Sequence, residues 1–328
     1  MVVLSFFLKR SYQFIIVMLV ISFIGFSIQD ALGDPIHQLV GESVGLAERE
    51  KLREKLGLND PFLTQYVRFV KNALTGDLGT SYFFKKPVMA VILDRFPATL
   101  ELTLAASFIV IFLSIPLGIY CAVYPKHVLA RTIMTFSIIG ISMPVFLTGI
   151  LLIYIFPVQL GLLYSFGRGE TLMLFGFWET NFLTQDGLLH IILPAISLAS
   201  IMLPLFIRLI RGRMVEVLSE EYIHFAKARG LTKNRILYVH AFRNTLIPIV
   251  SVAGVQFATM IAYTILTETV FQWPGMGFMF IEAVTHSDIP LIVAYLVFVG
   301  FVFMVTNTVV DILYLMIDPT VQLVKQKF

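Results

Sequence analysis

The chain has 328 residues, 58% of them hydrophobic and only 14% charged, and its mean hydropathy is +0.86. Soluble domains carry about 25% charged residues, so this composition excludes an ordinary soluble domain and indicates a membrane protein. The net charge of +3 does not indicate a nucleic-acid partner, the single cysteine excludes an intrachain disulfide, and the six histidines show no metal-ligand spacing.

Six stretches contain no Asp, Glu, Lys or Arg and are long enough to cross a membrane, which takes about 20 apolar residues in a helix. They are Ser11–Gln29, Leu102–Pro125, Thr132–Gly167, Gly187–Ile207, Asn244–Thr267 and Ile289–Val310. Such runs are too long for barrel strands, so the sequence predicts an all-α integral membrane protein with six transmembrane helices. The third stretch exceeds one helix, and we expect its end after Pro157 to reach the surface.

Lys and Arg residues in the short connections predict the orientation of the spans. They precede the first span, follow the second and the fourth, and end the chain; the largest group is Arg208, Arg211, Arg213, Lys227, Arg229, Lys233, Arg235 and Arg243. The short loops on the opposite side carry only Arg168. Both termini and the connection 208–244 are therefore predicted to be cytoplasmic. No small-residue cleavage site follows the first span, which favours a retained helix over a signal peptide.

The segment 30–97 is predicted to be external and helical. Charge pairs three residues apart in "LAEREKLREKLG" predict a helix that ends at Gly57. In "NDPFLTQYVRFVKNALTG", Asp60 is the predicted N-cap, Pro61 the first helical residue and Gly76 the stop. The segment is interpreted as a lid over the helix bundle, with a docking surface for an external partner as the alternative.

The predicted organisation has four parts. Residues 1–29 form a tail and the first transmembrane helix, and residues 30–97 the external segment. Residues 98–318 form a five-helix core that includes the cytoplasmic connection 208–244, and residues 319–328 form a cytoplasmic tail.

The most polar stretch in the second half of the chain runs from Ser219 to Pro248, between two uncharged segments. Apolar residues spaced by three and four predict an amphipathic helix over Met214–Arg229; they are Val215, Leu218, Tyr222 and Phe225. Gly230 suits a left-handed helix stop, with Leu231 making the accompanying apolar contact. Thr232 suits the N-cap of a second helix, "KNRILYVHAF", that leads into the fifth span.

Three interpretations of this insert are open. A solvated basic loop on anionic lipid explains its charges but neither the tight turn nor the apolar stripe. A DNA-binding helix-turn-helix needs a recognition helix that is free to enter a major groove, and the membrane tethers both ends of this insert. The third interpretation, which is favoured, is a docking element for a cytoplasmic partner, because a short helix at the membrane surface can place its apolar face in a protein groove.

The insert resembles the cytoplasmic loop of ATP-binding-cassette (ABC) import permeases, in the variant found in the dipeptide, oligopeptide and nickel permease family. That variant reads approximately E-x-Y-x-x-x-A-x-A-x-G-L and then H-A-x-R-N-x-x-x-P. The matching residues are Glu220, Tyr222, Ala226, Ala228, Gly230 and Leu231, then His240, Ala241, Arg243, Asn244 and Pro248. The generic E-A-A triad of such loops is not intact, because His224, Phe225 and Ala226 occupy its positions.

Other pieces of the family pattern occur in the right order along nearly the whole chain. They are "GDP" at 33–35, "GDLGTS" at 76–81, "RFPATLELT" at 95–103, "HIILPAISL" at 190–198, "ILTETVFQWPGMG" at 265–277 and "DP" at 318–319.

The resemblance implies a type I ABC importer permease fold in the bacterial inner membrane. The chain would pair with a second, related permease, two cytoplasmic ATP-binding subunits and an external binding protein that delivers short peptides. Nickel or a metal chelate is the alternative cargo. The loop that couples to the ATPase would comprise Glu220, Glu221, Tyr222, Phe225, Ala226, Ala228, Gly230 and Leu231.

The sequence contains no G-x-x-x-x-G-K-[ST], H-E-x-x-H or G-x-S-x-G motif. The chain is therefore predicted not to be an enzyme and to bind no cofactor, while ATP and Mg²⁺ belong to the partner ATPase subunits. A stand-alone secondary transporter or channel is the rival function. A proton-coupled carrier needs an acidic residue at mid-depth, whereas Glu101, Glu268 and Asp311 lie near span ends and are expected to be structural.

The segment "TETVFQWPGMGFMFI", which begins at Thr267, has an uncharged part too short to span a membrane. It is interpreted as a re-entrant or interfacial piece, with Trp273 as a membrane-surface anchor and a sharp turn at Pro274-Gly275. An outer gate is the alternative function.

Overall fold

The computed structural model describes residues 2–27, 45, 48, 50–51, 53–54 and 58–317. Ten helices and one two-stranded hairpin are labelled here within those residues. The helices are α1 (Val2–Ser27), α2 (Phe62–Leu74), α3 (Val88–Val123), α4 (Val128–Ser142), α5 (Val145–Ile153), α6 (Gln185–Leu218), α7 (Glu221–Ala228), α8 (Phe242–Val270), α9 (Met276–Thr285) and α10 (Ile289–Ile317). The antiparallel strands are β1 (Leu172–Leu174) and β2 (Trp178–Thr180), and π-helical segments Tyr154–Gln159 and Arg235–Ala241 follow α5 and precede α8.

Five helices of the described chain are long and apolar enough to cross a membrane, namely α1, α3, α6, α8 and α10. A sixth span results only if α4 and α5 with its π segment count as one, and this pair is bent by 109°. The all-α membrane class is confirmed, but the span predicted within the third uncharged stretch is broken into two helices. Pro144 forces extended backbone on the residue before it, and Met143 accordingly has φ −84° and ψ 128°.

Charged residues do not mark the ends of the long helices. α3 begins at Val88 and contains Asp94, Arg95 and Glu101, upstream of the predicted span. α6 continues past Arg208 to Leu218, so the predicted cytoplasmic loop 208–244 begins inside a helix. Arg and Glu are good helix formers, and a helix that leaves the membrane can therefore continue into water.

The centre of the bundle is the contact between α3 and α6. Small buried residues let the two backbones approach closely; they are Ala98 and Ala106 on α3 and Ala195 and Ala199 on α6. At Gly118 an added Cβ would lie 2.7 Å from the Ile210 side chain, so this crossing requires glycine. Helices α4, α5 and α8 pack around this pair.

Helix α1 packs against α10, and α2 packs across the end of α1. An ion pair between Arg10 and Asp311 joins α1 to α10. Tyr66 of α2 lies against Phe23 and Phe26 with ring centroids 5.4 and 5.8 Å apart. Aromatic contacts therefore fix α2 to the outside of the bundle.

The predicted boundaries of α2 are confirmed at one end only. Gly76 follows the helix with φ +84°, as expected for its stop. Asp60 is not the N-cap: Pro61 holds that position, and the Asp60 carboxylate pairs with Arg68 instead. The described residues between 48 and 54 are helical, whereas Gly57, "GDP" at 33–35 and the tail 319–328 lie outside the described residues.

The turn at 80–87 is anchored by the fully buried Asp288, which accepts hydrogen bonds from the Ser81 hydroxyl and from the Phe83 N–H at 3.0 Å. Burial, and secondly the nearby Asp288 carboxylate, raise the pKa of Tyr82 to about 12. Tyr82 is therefore neutral at physiological pH.

The orientation remains a prediction with a direct test. We expect reporter fusions after Gly187 and Thr285 to be external and fusions after His127 and Lys233 to be cytoplasmic, because Lys and Arg residues accumulate on the latter side. Paired phosphatase and fluorescent-protein fusions measure this in intact cells. An external signal from the Lys233 fusion would contradict the assignment of the whole insert.

Candidate functional site: the insert between α6 and α8

The insert contains a short helix that stands apart from α6. Ser219 closes α6 with φ −89° and ψ −7°, and Glu220 is extended with φ −69° and ψ 148° as the N-cap residue of α7. The prediction of one helix over Met214–Arg229 is therefore wrong, because the backbone turns between these two residues. Glu221 then lies in the first turn of α7, where a carboxylate favourably meets the positive end of the helix dipole.

Gly230 terminates α7 as predicted. It has φ +76°, and its N–H donates to the Lys227 carbonyl at 3.0 Å, while the Leu231 N–H donates to the Ala226 carbonyl at 3.3 Å. These two hydrogen bonds define a Schellman motif. In this motif the residue directly after the C-cap, here Gly230, has a left-handed backbone conformation. No atom lies within 4 Å of a Cβ built on Gly230, so the requirement for glycine comes from the backbone conformation alone.

The second half of the insert is helical but wound differently from the prediction. Lys233 and Asn234 are α-helical, and Arg235–Ala241 then form a π-helix that runs directly into α8. Thr232 contributes its backbone carbonyl, which accepts from the Ile236 N–H at 3.0 Å. Wide helical turns of this kind are rare and occur frequently at functional sites.

Helix α7 has one face in the bundle and one face in solvent. Ile223 and Ala226 are buried in the main core cluster. Tyr222 and Phe225 are exposed, and Phe225 retains 60% of its accessible surface beneath the Arg229 guanidinium, 4.7 Å from the ring centroid. The predicted apolar stripe through Tyr222 and Phe225 thus points outward, while the residue next to each of them packs inside the protein.

Polar contacts tie both ends of the insert to neighbouring helices. The Asn244 side chain of α8 donates to the Tyr222 hydroxyl at 2.7 Å. Lys233 donates to the Tyr124 hydroxyl, just beyond α3, at 2.9 Å and lies 4.6 Å from the centroid of that ring. These bonds place α7 and the turn that follows it in contact with α8 and with the end of α3.

The predicted site residues thus fall into three groups on α7 and its turn. Glu220 and Glu221 begin the helix, Tyr222, Phe225 and Ala228 are exposed along it, and Ala226, Gly230 and Leu231 are placed by packing and by the terminal hydrogen bonds. The contact of Lys233 with Tyr124 was not predicted, because only the tertiary structure brings these residues together.

A second polar cluster lies at the far end of α8. Glu268 is fully buried and accepts from the Thr99 hydroxyl at 2.7 Å and from the Phe278 N–H at 3.0 Å. Trp273 has no exposed surface, and its ring N–H donates to the Ala98 carbonyl at 3.0 Å. The prediction of Trp273 as a membrane-surface anchor is therefore wrong, since its ring packs inside the bundle and fixes the α8–α9 turn to α3.

A third cluster joins the β-hairpin to α3. The buried Arg168 donates to the Glu101 carboxylate at 2.7 Å and to the Glu179 carbonyl at 2.6 Å. The Trp178 ring N–H donates to the same Glu101 carboxylate at 3.1 Å. Glu101 and Glu268 therefore have structural partners, and the described residues contain no group of three or more His, Cys, Asp or Glu that could hold a metal ion.

Comparisons with known proteins agree along nearly the whole chain. Residues 114–323 match a family described as binding-protein-dependent transport system inner membrane component, and residues 3–103 match the N-terminal part of the same systems' membrane components.

The chain is 34% identical over 320 residues to the oligopeptide transport system permease protein AppB of Bacillus subtilis, covering 97% of this chain and 99% of the relative. It is 36% identical over 307 residues to the dipeptide transport system permease protein DppB of Escherichia coli K12, covering 88% and 90%. It is 37% identical over 304 residues to the di/tripeptide permease protein DppB of Pseudomonas aeruginosa, again covering 88% and 90%.

Among solved structures, the chain is similar to inward-facing forms of the MetNI methionine ABC transporter. In the native crystal form the TM-score is 0.54 at 17% identity, covering 70% of this chain and 97% of that chain. This similarity shows the type I importer permease fold. The extent of the sequence matches confirms the predicted resemblance, and the chain belongs to the binding-protein-dependent transport system inner membrane components, which are ABC importer permeases and not enzymes.

Proposed function

We propose that this permease carries short peptides across the inner membrane, from an external binding protein and driven by two cytoplasmic ATP-binding subunits. The names of the relatives, which specify oligopeptides, dipeptides and di/tripeptides, support this cargo. The second membrane subunit is a related but different chain, and ATP and Mg²⁺ are bound by the ATPase subunits. Nickel or a metal chelate is not favoured as cargo, because none of these relatives is named for a metal.

The observation that supports the coupling role is the construction of α7. Ile223 and Ala226 hold the helix in the bundle, the turn at Gly230 ends it, and Tyr222 and Phe225 remain exposed. A short helix that displays aromatic side chains fits a groove on a partner protein. We assign that groove to an ATP-binding subunit, because the insert lies on the predicted cytoplasmic side.

The same construction suggests how ATPase closure reaches the membrane. α6 is continuous from the bundle to the N-terminal end of α7, and the π segment is continuous with α8. If the groove of the ATP-binding subunit moves α7, α6 and α8 would therefore tilt together as a rigid pair. Rigid-body movement is one of the known ways in which packed helices change between two arrangements.

We expect Phe225→Ala to weaken ATPase association and peptide uptake without lowering the amount of permease in the membrane. Aromatic residues at the centre of an interface often contribute about 2 kcal/mol or more to binding, which corresponds to a loss of affinity of roughly 30-fold. The free permease loses little, because 60% of this side chain is exposed. Co-purification of the ATPase and uptake of a labelled dipeptide measure the two effects.

Glu216→Lys is the matched control, since Glu216 is exposed near the end of α6 and pairs with the exposed Arg213 at 2.9 Å. Exposed pairs of this kind contribute little to stability, so the control should retain the ATPase. Equal retention of the ATPase by Phe225→Ala and Glu216→Lys would remove the support for α7 as the coupling helix. If Phe225→Ala lost nickel uptake while its dipeptide uptake stayed unchanged, that result would instead reject the peptide cargo.

A further inference from the structure

A cavity of about 430 Å³ lies between α1, α2 and α10, remote from the insert. Its walls include Phe14 and Met18 of α1, Ala73 of α2, and Phe298 and Phe301 of α10. Its volume lies within the range of about 300–1,000 Å³ that is typical of cavities for small organic ligands. Neither the coupling role nor the peptide cargo explains a cavity of this size at this place.

The cavity offers almost no polar partner. Of the residues that line it, all within the described chain, only Ser22 has a hydroxyl, amide or charged side chain. The Ser22 hydroxyl already donates to the Leu19 carbonyl at 3.0 Å and lies 3.0 Å from the Tyr66 hydroxyl. Apolar cavities without such partners do not hold water, and a peptide backbone would lose its hydrogen bonds there. A ligand that suits this cavity is therefore a hydrocarbon group.

Both long walls of the cavity belong to helices that are long and apolar enough to cross a membrane. Phe14 and Met18 fall within the apolar window Arg10–Ser27 of α1, and Phe298 and Phe301 fall within the window Ile289–Ile312 of α10. The lining residue Ile15 is also exposed on the outer surface of the bundle. The cavity is thus bounded by surfaces that face acyl chains, and lipid is the hydrocarbon available to fill it.

Helix α2 covers the cavity with the pattern of an interfacial helix. Its residues Leu63, Val67 and Leu74 are exposed and share one helix face, beside the face that packs on α1. Lys71 borders this stripe, four residues after Val67, and Arg68 lies farther round the helix. An apolar stripe bordered by basic residues is typical of a helix that lies at the headgroup level of a bilayer.

We propose that this cavity binds one acyl chain of a membrane phospholipid, whose headgroup lies against α2 on the side of Lys71. The chain fills space that would otherwise leave Phe14, Met18, Phe298 and Phe301 without contact atoms on one side. The bound lipid thereby stabilises the attachment of α1 and α2 to α10.

The test uses the assembled transporter in nanodiscs that contain a trace of phosphatidylglycerol with a photoreactive diazirine in one acyl chain. After irradiation, peptide mass spectrometry should find label on the walls at Met18 and Phe298. Ala73→Trp and, separately, Met18→Trp fill the cavity from opposite sides, and each should lower the labelling at Phe298 several-fold. Leu63→Trp, on α2 but outside the cavity lining, is the matched control and should leave it unchanged.

Labelling at Phe112, an exposed residue of α3, serves as the reference for ordinary contact with the bilayer and should be equal in all variants. Two tryptophan variants are used so that, if one of them reaches the membrane poorly, the test can still be made with the other. Absence of label from the cavity walls while Phe112 is labelled would overturn the proposal, as would undiminished labelling in both filling variants. Crosslinks from a photoreactive residue at position 18 to residues 28–44 or to the second permease would assign the cavity to those segments instead.

Discussion

Replacement of Gly230 by valine is expected to abolish most ATPase association while the permease still reaches the membrane in near-normal amounts. Gly230 has φ +76°, a conformation that a β-branched residue tolerates least. The strain costs about 1–2 kcal/mol, and no steric clash adds to it because the space around Gly230 is open. This is small beside the typical stability of a folded protein, about 5–15 kcal/mol, so the bundle should remain folded.

The functional loss should exceed the stability loss, because Gly230 sets the direction of the chain after α7. Relief of the strain breaks the terminal hydrogen bonds of Gly230 and Leu231 and moves Lys233 away from Tyr124. The exposed face with Phe225 is then no longer held at the angle that a partner groove requires. Binding that depends on a preorganised helix is lost when the helix must be reordered on contact.

The measurement is ATPase co-purification, normalised to membrane abundance, for a series of variants at position 230. Asparagine, which tolerates the left-handed conformation, should retain more of the ATPase than alanine, and alanine more than valine. A series in which valine retains the ATPase and transport as well as asparagine does would mean that the turn is a passive linker.

The turn at Gly230 could be predicted from sequence because its cause is local. The residues that end α7 lie within five positions of one another, and a helical pattern followed by Gly-Leu is a common signature of this motif. Gly76 ends α2 for the same reason, with φ +84°. At these two helix ends the structure depends only on adjacent residues, and both glycine stops could be predicted.

The breaks inside apparently continuous segments were missed. Val215, Leu218, Tyr222 and Phe225 keep a helical spacing across the turn at Ser219, so periodicity could not reveal it. The bend at Met143-Pro144 had a local signal in the proline, but the absence of charge on both sides hid it. Counting charges identifies membrane-compatible segments and leaves their internal geometry undetermined.

The buried polar contacts depend on residues far apart in the chain. Trp273 is internal because its ring N–H meets the Ala98 carbonyl, and Glu101 is buried because Arg168 meets it. Neither pairing follows from local pattern, since an aromatic residue near a span end is equally compatible with a membrane surface. The same holds for α7, where the predicted apolar stripe includes Phe225 and only packing decides that Ile223 is inside and Phe225 outside.

We expect the largest loss of stability when the ion pair between Glu101 and Arg168 is broken. Arg168→Leu would leave the Glu101 carboxylate buried without its cation, a change that costs about 3–5 kcal/mol in comparable sites. The hairpin that depends on this pair should detach from α3, because Trp178 and Arg168 both reach the same carboxylate. We expect a lower unfolding temperature for the purified complex and faster proteolysis between residues 160 and 184.

A double variant and a control separate the ion pair from general damage to the hairpin. Glu101→Leu combined with Arg168→Leu removes both charges but leaves the ring N–H of Trp178 without its acceptor, a penalty of about 1–3 kcal/mol. The double variant should therefore be more stable than the sum of the two single losses predicts, and the difference measures the coupling. Glu179→Gln is the control, since its half-exposed carboxylate lies 3.9 Å from the same arginine and should contribute little. If Arg168→Leu loses no more stability than Glu179→Gln, or if the two single losses add without coupling, the buried pair is not what holds the hairpin to the bundle.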